Sequence, residues 1–331
     1  MPSSLTLSTG RTSSHQLTAI GAALALGTLL TACADDPTSP ASSPSLGKAG
    51  ATAATILYSG TQSGGQKIYV MNADGSNVRL LTDGAGSAND RQPNYAPGNK
   101  RFIWQRYSGD EFGYGEIWTA AANGSRPTQL TPQSMRVANP EYSPDGTKIA
   151  FDGIVAGDTK KAIFVMNADG TGVTQLTFVP ISQFHPTWSP DGQTIAYEQA
   201  DPTNPSFDIY SVPATGGSPT LVADCDAPRG CTQPVWSHTG SQILVFDGAS
   251  QRFRVFELTG AGVTSRFVGE AVALNTTDDM TWTADDSRIL FTSNRLGTWD
   301  IYSIASSDPT DASVVRVSSL VGNEEGVSAS R

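Results

Sequence analysis

The feature that most constrains the fold of this sequence is a repeat with a period of 46 to 48 residues. An aromatic residue, two apolar segments and a turn rich in Pro, Asp and Gly recur in one order along the chain. The aromatic anchors of five copies, 47, 46, 48 and 46 residues apart, are Tyr95, Tyr142, Trp188, Trp236 and Trp282. Each copy contains four short segments with strand patterns. A period of this length with four strands per repeat is typical of the blades of a β-propeller.

The composition agrees with many short strands joined by tight turns. The 331 residues include 33 Gly and 20 Pro, and only 16% are charged, so we expect no long helices. The formal net charge is −10, and no cluster of Lys and Arg offers an electrostatic surface for phosphates. We therefore expect no nucleic-acid partner.

Alignment on the anchors predicts four strands in each repeat, called first to fourth from the axis outward. The first strand carries the anchor and is predicted at 92–95, 139–142, 185–188, 233–236 and 279–282. The second is predicted at 56–58, 102–104, 149–151, 195–197, 243–245 and 289–291. The third is predicted at 68–70, 117–118, 163–165, 209–210, 253–256 and 301–302. The fourth, more polar strand is predicted at 78–82, 127–131, 173–177, 219–223, 263–268 and 314–318.

Counting these strands predicts how the ring closes. The second, third and fourth strands each occur six times, whereas only five first strands carry an anchor. The C-terminal segment 324–330 stands where the sixth first strand belongs, and we expect it to pair with 56–59. The predicted fold is therefore all-β, a six-bladed β-propeller of four-stranded blades closed by the C-terminal strand joining the N-terminal blade.

Four motifs resemble the repeats of the TolB family. They are W-S-P-D-G at 188–192, Y-S-P-D-G at 142–146, I-Y-V-M-N-A-D-G at 68–75 and I-F-V-M-N-A-D-G at 163–170. The resemblance covers about 53–331 and implies a six-bladed propeller. The sequence has no counterpart of the α/β domain that precedes the propeller in TolB, so the resemblance does not carry over the Tol role. Propellers of this kind also occur in peptidases and sugar lyases, so the resemblance predicts fold better than function.

The N-terminal segment is interpreted as an export signal. Arg11 and His15 precede an uncharged apolar run at 17–30, which has the length of a signal h-region. The run ends in Leu-Thr-Ala-Cys at 30–33 and resembles the lipobox of bacterial lipoproteins, which implies that Cys33 is acylated and becomes the first mature residue. An ordinary signal peptide with a chance cysteine is the alternative. The predicted domains are thus a signal peptide (1–32), a lipidated Cys with a flexible Ser/Pro/Ala tether (33–52) and the propeller (53–331).

The signal and the tether also predict the location. Ala34 follows Cys33, without the Asp that retains lipoproteins in the inner membrane of enteric bacteria, so we expect a lipoprotein of the outer membrane facing the periplasm. In an exported protein, Cys225 and Cys231 are most simply a local disulfide, with a metal pair as the alternative. We expect no metal and no cofactor. Asn72, Asp74 and Asn77 resemble part of a calcium-binding loop. The acidic residue that ends such a loop is absent, and the Asn-x-Asp-Gly turn explains the pattern by itself.

The candidate binding surface is the face that carries the loops of variable length. The position three residues before each anchor should encircle the channel mouth, and we call the six residues there the ring residues: Gln92, Asn139, His185, Gln233, Asp279 and Gly326. Three residues that directly precede them, and four in the most aromatic and acidic loop of this face, complete the candidates: Arg91, Asp278, Glu325, Tyr107, Asp110, Glu111 and Tyr114. Such a ring could hold a peptide end, a sugar or a cation, or simply line a water-filled channel. The loop could bind a partner or pack against the next blade.

Catalytic interpretations find little support in the sequence. His185 and His238 are the histidines that remain after export, and His238 stands where other repeats have the Pro of a turn. No Gly-x-Ser-x-Gly elbow is present. We therefore predict a monomeric binding or scaffold protein that engages an envelope protein or peptide, and no enzyme. The alternative is a carbohydrate-active or sugar-binding propeller that uses Asp278, Asp279 and Glu325, since two carboxyl groups roughly 5 to 10 Å apart can cleave a glycoside.

Overall fold

The computed structural model describes residues 54–83, 88–107, 114–154, 157, 159–178, 180–200, 206–225, 229–270, 276–320 and 322–330, with backbone only at 133 and 276–278. The predicted signal peptide, Cys33, the tether, Asp110 and Glu111 lie outside the described residues. Within the described ranges, no helix has the length and apolarity needed to cross a bilayer.

Twenty-four strands account for nearly all regular structure in the described residues. The first three blades contain β1 (Thr55–Gly60), β2 (Lys67–Asn72), β3 (Arg79–Leu80), β4 (Asn89–Tyr95), β5 (Arg101–Tyr107), β6 (Glu116–Ala121), β7 (Thr128–Gln129), β8 (Val137–Tyr142), β9 (Lys148–Ile154), β10 (Lys161–Asn167) and β11 (Thr174–Gln175). The next three contain β12 (Gln183–Trp188), β13 (Thr194–Ala200), β14 (Phe207–Pro213), β15 (Thr220–Ala223), β16 (Cys231–Trp236), β17 (Gln242–Asp247), β18 (Arg252–Thr259), β19 (Gly262–Val268), β20 (Thr276–Trp282), β21 (Arg288–Ser293), β22 (Asp300–Ala305) and β23 (Val315–Arg316). The last strand is β24 (Glu324–Ala329), and two 3-10 turns lie at Pro97–Asn99 and Gln133–Met135.

These strands form six four-stranded antiparallel sheets, which confirms the predicted propeller. Blade 1 has the order β24-β1-β2-β3, and blades 2 to 6 each consist of four consecutive strands, from β4-β5-β6-β7 to β20-β21-β22-β23. The C-terminal strand pairs with β1, with Ile56 opposite Ala329 and Gly60 opposite Glu324. Both ends of the propeller therefore share one sheet, as the strand count predicts.

The aromatic anchors recur because each bridges two blades. The side chains of Trp188 and Trp282 are almost fully buried, at 3% and 1% exposure. Their indole N–H groups donate to carbonyl oxygens of the preceding blade's first strand, from Trp188 to Glu141 over 3.2 Å and from Trp282 to Val235 over 3.1 Å. A buried indole needs such an acceptor. The apolar core accordingly lies between adjacent blades.

The fourth strands are shorter than predicted in every blade except blade 5. In blades 1, 2, 3 and 6 they have two residues, and in blade 4 four. In blades 1, 2, 3 and 6, the hydrogen bond that would continue the ladder is made to a side chain instead. The backbone N–H of an Ile in the third strand donates to the hydroxyl oxygen of a Thr or Ser. The pairs are Ile68 with Thr82, Ile117 with Thr131, Ile163 with Thr177 and Ile301 with Ser318, at 2.9 to 3.0 Å. This bond explains the Leu-Thr ending of the repeats.

The Asp-Gly turns on the opposite face are closed by their own side chains. In the turn that follows β8, the Asp145 carboxylate accepts hydrogen bonds from the Ser143 hydroxyl (2.6 Å) and the Thr147 amide (3.0 Å). The Asp74 carboxylate accepts the Ser76 amide and hydroxyl in the same way. These bonds hold the turns that the sequence motif predicts.

His238 has a structural position in one of these turns. Its backbone N–H donates to Asp286 over 3.0 Å, and its Nδ1 lies 2.7 Å from the same carboxylate oxygen. Asp286 belongs to the equivalent turn of blade 6, so His238 joins two neighbouring blades. Both turns lie on the face opposite the one that carries the loops of variable length, which we call the loop face.

Candidate functional site

The six ring residues come together around the axis of the propeller. They line one cavity of about 140 Å³, with the residues that follow them on the first strands, among them Pro93, Pro140 and Pro234. The spacing rule from the sequence therefore places all six at one channel mouth.

A left-handed backbone conformation at five of the six ring positions gives the channel its shape. Gln92, Asn139, His185 and Gln233 have φ between 49° and 53°, and Gly326 has φ 60°. The pairing with the second strand shifts register at these positions. Non-glycine residues rarely adopt this left-handed conformation, and a bulge of this kind redirects a strand. Such strain persists where surrounding contacts hold it, and the neighbouring blade supplies those contacts.

The ring positions are joined from blade to blade by hydrogen bonds between a backbone N–H and a side chain of the preceding blade. The pairs are Asn139 N–H to Gln92 Oε1 (3.2 Å), His185 N–H to Asp152 Oδ1 (3.2 Å), Gln233 N–H to Glu198 Oε2 (2.7 Å) and Gly326 N–H to Asp279 Oδ2 (3.0 Å). Several polar side chains of the mouth are thus already engaged in holding the ring together. This agrees with the simpler interpretation, in which the ring residues are polar because they line a water-filled channel.

A cluster of charged side chains lies where blades 3 and 4 meet the channel. The Asp152 carboxylate, whose side chain is fully buried, accepts the Asn139 amide N–H (2.5 Å) and lies 3.2 Å from the Lys161 ammonium. The His185 Nδ1 lies 2.9 Å from Glu198 Oε1, with about a quarter of the imidazole exposed. Burial alone would lower the pKa of His185, but the Glu198 and Asp152 carboxylates outweigh it and raise that pKa above its usual range.

A second polar network spans blades 1 and 2. Gln66 accepts a hydrogen bond from Arg91 Nε and donates one to Glu325 Oε2 over 2.7 Å. The Arg91 guanidinium also lies over the Tyr107 ring, 5.0 Å from its centroid. Gln66, a buried residue that the sequence analysis missed, therefore links Arg91 to Glu325, and Arg91 in turn contacts Tyr107.

Tyr114 packs onto the neighbouring blade. The guanidinium of Arg136 lies 4.9 Å from its ring centroid, and the ammonium of Lys161 lies 4.6 Å from it. Lys161 also stands 4.4 Å from the ring of Phe184. Of the two interpretations for this loop, packing against the next blade accounts for Tyr114.

Two of the three carboxylates of the enzymatic alternative are engaged in structural contacts. The Asp279 carboxylate accepts a hydrogen bond from the backbone N–H of Gly326, and the Glu325 carboxylate accepts one from the side-chain amide of Gln66. The side chain of Asp278 lies outside what the structure describes. Among the described residues, no group of three His, Cys, Asp or Glu side chains could hold a metal ion. Cys225 and Cys231 form a buried disulfide at the start of β16.

Two exposed apolar side chains on the loop face were not predicted. Phe178, which comes after Leu176 and Thr177 in the segment that follows β11 of blade 3, is 77% exposed, and Leu296, between the second and third strands of blade 6, is 66% exposed. Blades 3 and 6 lie opposite each other in the six-bladed ring, so these two side chains are separate points on the face and do not form one contiguous apolar patch. The only signal in the sequence was an apolar residue within a loop, which does not separate burial from exposure.

Solved structures with this fold share little sequence with the chain. TolB from Acinetobacter baumannii superposes with a TM-score of 0.67 at 13% identity, covering 83% of this chain and 66% of that one. Putative TolB from Agrobacterium tumefaciens gives 0.61 at 17% identity, covering 84% and 92%. An oligogalacturonate lyase in complex with manganese gives 0.51 at 18% identity, covering 75% and 85%. At these identities the likeness shows the fold alone.

Sequence comparison identifies the family. No curated protein matches the chain. The model of the tricorn protease N-terminal β-propeller domain matches residues 112–319, which is more than half of the sequence. The resemblance to TolB repeats and the observed six-bladed fold agree with this match. The chain belongs to the family of the tricorn protease N-terminal β-propeller domain.

Proposed function

We propose that the protein is a lipid-anchored binding protein of the cell envelope that engages a protein or peptide through the loop face of its propeller. The observation that carries this proposal is the size of the central cavity. It holds about 140 Å³, whereas sites for small molecules usually enclose roughly 300 to 1,000 Å³. A mouth this narrow suits contact across the face better than enclosure of a small ligand.

The contacts at the mouth support the same conclusion. A catalytic centre needs groups free to exchange protons or attack a substrate. Here the Asp279 and Glu198 carboxylates accept backbone N–H groups that join blades, and Asp152 faces Lys161. The side chains are arranged to hold a rigid surface, which a binding partner requires.

The exposed apolar side chains supply contact points around that surface. Phe178 and Leu296 lie on the loop face in blades 3 and 6. Buried aromatic and aliphatic anchors provide most of the affinity in protein interfaces. The propeller fold is a scaffold suited to protein binding, and the predicted signal peptide with Cys33 supports a location at the envelope.

Affinity capture from envelope extract tests the proposal. The bait is the full chain, with a tag inserted in the tether and extracted from membranes in mild detergent. We expect a protein partner that the wild type captures and that F178A/L296A loses by at least tenfold. The matched control L80A removes an apolar side chain of 46% exposure from the outer strand β3, outside the loops that join the strands, and should capture normally.

Two results would contradict the proposal. One is equal capture by F178A/L296A and the wild type, which would place the contact elsewhere. The other is an extract that yields no partner together with turnover of an oligosaccharide that D279N abolishes, which would favour the carbohydrate-active alternative.

A further inference from the structure

The outer edge of blade 5 differs from that of every other blade. Its fourth strand, β19, has seven residues, whereas β3, β7, β11 and β23 have two and β15 has four. β18 is its only neighbour among the described strands, so its other side is an open edge. Long open edges are templates for pairing with another strand, and most proteins keep them short.

The hairpin geometry identifies the residues that face this open edge. The β18–β19 hairpin is closed by Thr259 opposite Gly262 across a two-residue turn, so this pair exchanges backbone hydrogen bonds. Antiparallel pairs alternate, and Val263, Ser265 and Phe267 therefore point their N–H and C=O groups outward. Three donors and three acceptors lie in a row along the rim.

The side chains of these residues form an apolar stripe. Val263 is 46% exposed and Phe267 36%, and both project from the same face of the strand because they are four residues apart. Ser265 stands between them. The stripe thus has an apolar residue at each end and a small polar residue in the middle.

We propose that β19 pairs antiparallel with β19 of a second copy of this chain, about a twofold axis at Ser265. In this register each Val263 faces the second copy's Phe267, and the two Ser265 residues face each other. The outward residues then exchange six backbone hydrogen bonds, and both exposed apolar residues gain a cross-strand partner.

The charges of the blade fit this register. On the other face of the strand, Arg266 forms an ion pair with Glu257 of its own chain at 3.2 Å. In the self-paired register, Thr264 lies opposite Arg266 of the second copy. Within its own chain, Thr264 lies opposite Glu257 of β18. Arg266 of one copy therefore approaches Glu257 of the other, and no like charges face each other directly.

The contact is small, so we expect a weak dimer. Specific stable interfaces bury roughly 1,200 Å² or more, and one strand edge buries less. The dimer therefore needs a high local concentration. It differs from the monomer expected from the sequence, and it uses the rim instead of the loop face, so it stands independently of the proposed function.

Cysteine cross-linking in membranes of cells expressing the full chain tests the pairing. A Ser265→Cys variant, treated with a short thiol cross-linker, should give a covalent dimer on non-reducing gels. A matched cysteine on the two-residue strand β7, Thr128→Cys, should give none. Equal dimer from T128C, no dimer from S265C, or cross-linking of S265C to a protein of different mass would each overturn the proposal.

Charge pairs test the register. In the S265C background, V263K/F267K places Lys opposite Lys and should reduce the dimer at least tenfold. V263K/F267E places Lys opposite Glu in the same register and should retain it. Thermal unfolding verifies that both variants fold. Equal loss in both variants, or no loss in V263K/F267K, would contradict pairing about Ser265.

Discussion

The backbone N–H of Thr55 donates a hydrogen bond to the hydroxyl oxygen of Ser330 over 2.8 Å, although 275 positions separate the two residues. The amide of Ser330 donates in return to the carbonyl of Thr55, also over 2.8 Å. These bonds hold the first and last strands of the propeller in one sheet. The integrity of blade 1 thus depends on both ends of the chain.

Deleting residues 324–331 should lower the unfolding temperature by well over ten degrees. The deletion removes β24, exposes the backbone of β1 and uncovers Tyr58 and Ile56, both buried in the wild type. Differential scanning calorimetry measures the change. The matched variant S330A loses one side-chain hydrogen bond, worth about 1 kcal/mol, and should shift the temperature by only a few degrees. Coincident transitions for the deletion and the wild type would show that β24 does not close the ring.

Glu324 should make stability decrease as pH rises. The pKa of this carboxyl is raised to about 7, chiefly by burial and in addition by the Asp300 carboxylate, while the Ser318 hydrogen bond and Arg316 oppose the shift. Between about pH 4.5 and 7 the unfolded chain releases a proton that the folded protein keeps. Folding therefore loses up to about 3 kcal/mol over this window.

The variant E324Q tests this dependence because the amide cannot ionise. We expect unfolding temperatures measured from pH 5 to 7.5 to fall more steeply in the wild type than in E324Q. The difference between the two slopes isolates Glu324, since every other titrating group is common to both. Parallel slopes would contradict a buried, protonated Glu324.

The Thr at the end of the fourth strand should be worth more than its size suggests. In blade 3 the Thr177 hydroxyl accepts the buried amide of Ile163 at 3.0 Å. T177V keeps the shape but leaves that N–H without an acceptor, which should cost about 1 to 3 kcal/mol. T177S retains the oxygen and should cost less than half as much. Chemical denaturation of the three proteins measures the difference, and equal stability of T177V and T177S would exclude the role of this bond.

Asp152 should be required for the junction of blades 3 and 4. Its carboxylate bonds the Asn139 side chain and the His185 amide and pairs with Lys161, whose side chain is only 13% exposed. D152A leaves that ammonium without its partner, so we expect a loss of about 3 kcal/mol or more. The double variant D152A/K161M removes the stranded charge and should recover part of the loss. A double variant no more stable than D152A, measured by urea unfolding, would show that the ion pair is not the cause.

Much of this fold can be predicted from the sequence because its strongest signals are local and repeated. The anchor fixes the first strand, and the residue three positions earlier then falls on the channel mouth in all six blades. The closure by residues 324–329 follows from counting. These inferences need only spacing, which the sequence provides.

The contacts of the mouth could not be predicted in the same way, because they depend on residues of different blades. Asp152 and Glu198 lie within the second strands, at a position occupied in the other blades by Ser59, Gln105, Phe246 and Thr292, so the repeat gives that position no common chemistry. Their roles appear only when the next blade brings an N–H within reach. The length of β19 agrees with the strand predicted at 263–268. The outer strands of blades 1, 2, 3 and 6 are shorter than predicted, because a side-chain hydroxyl ends each of their ladders and the repeat pattern does not show this.

The lipid anchor predicted at Cys33 can be tested without knowledge of any partner. Acyl chains gain about 0.8 kcal/mol for each methylene buried in the bilayer, so two or more chains anchor a protein stably. In cells fed an alkyne fatty acid, we expect the wild type to be labelled and C33S to be unlabelled. Detergent phase partitioning should place the processed wild type in the detergent phase. The matched variant C225S/C231S removes the other two cysteines and should be labelled like the wild type. Labelling of C33S at the wild-type level would show that the acyl chain is attached to another residue.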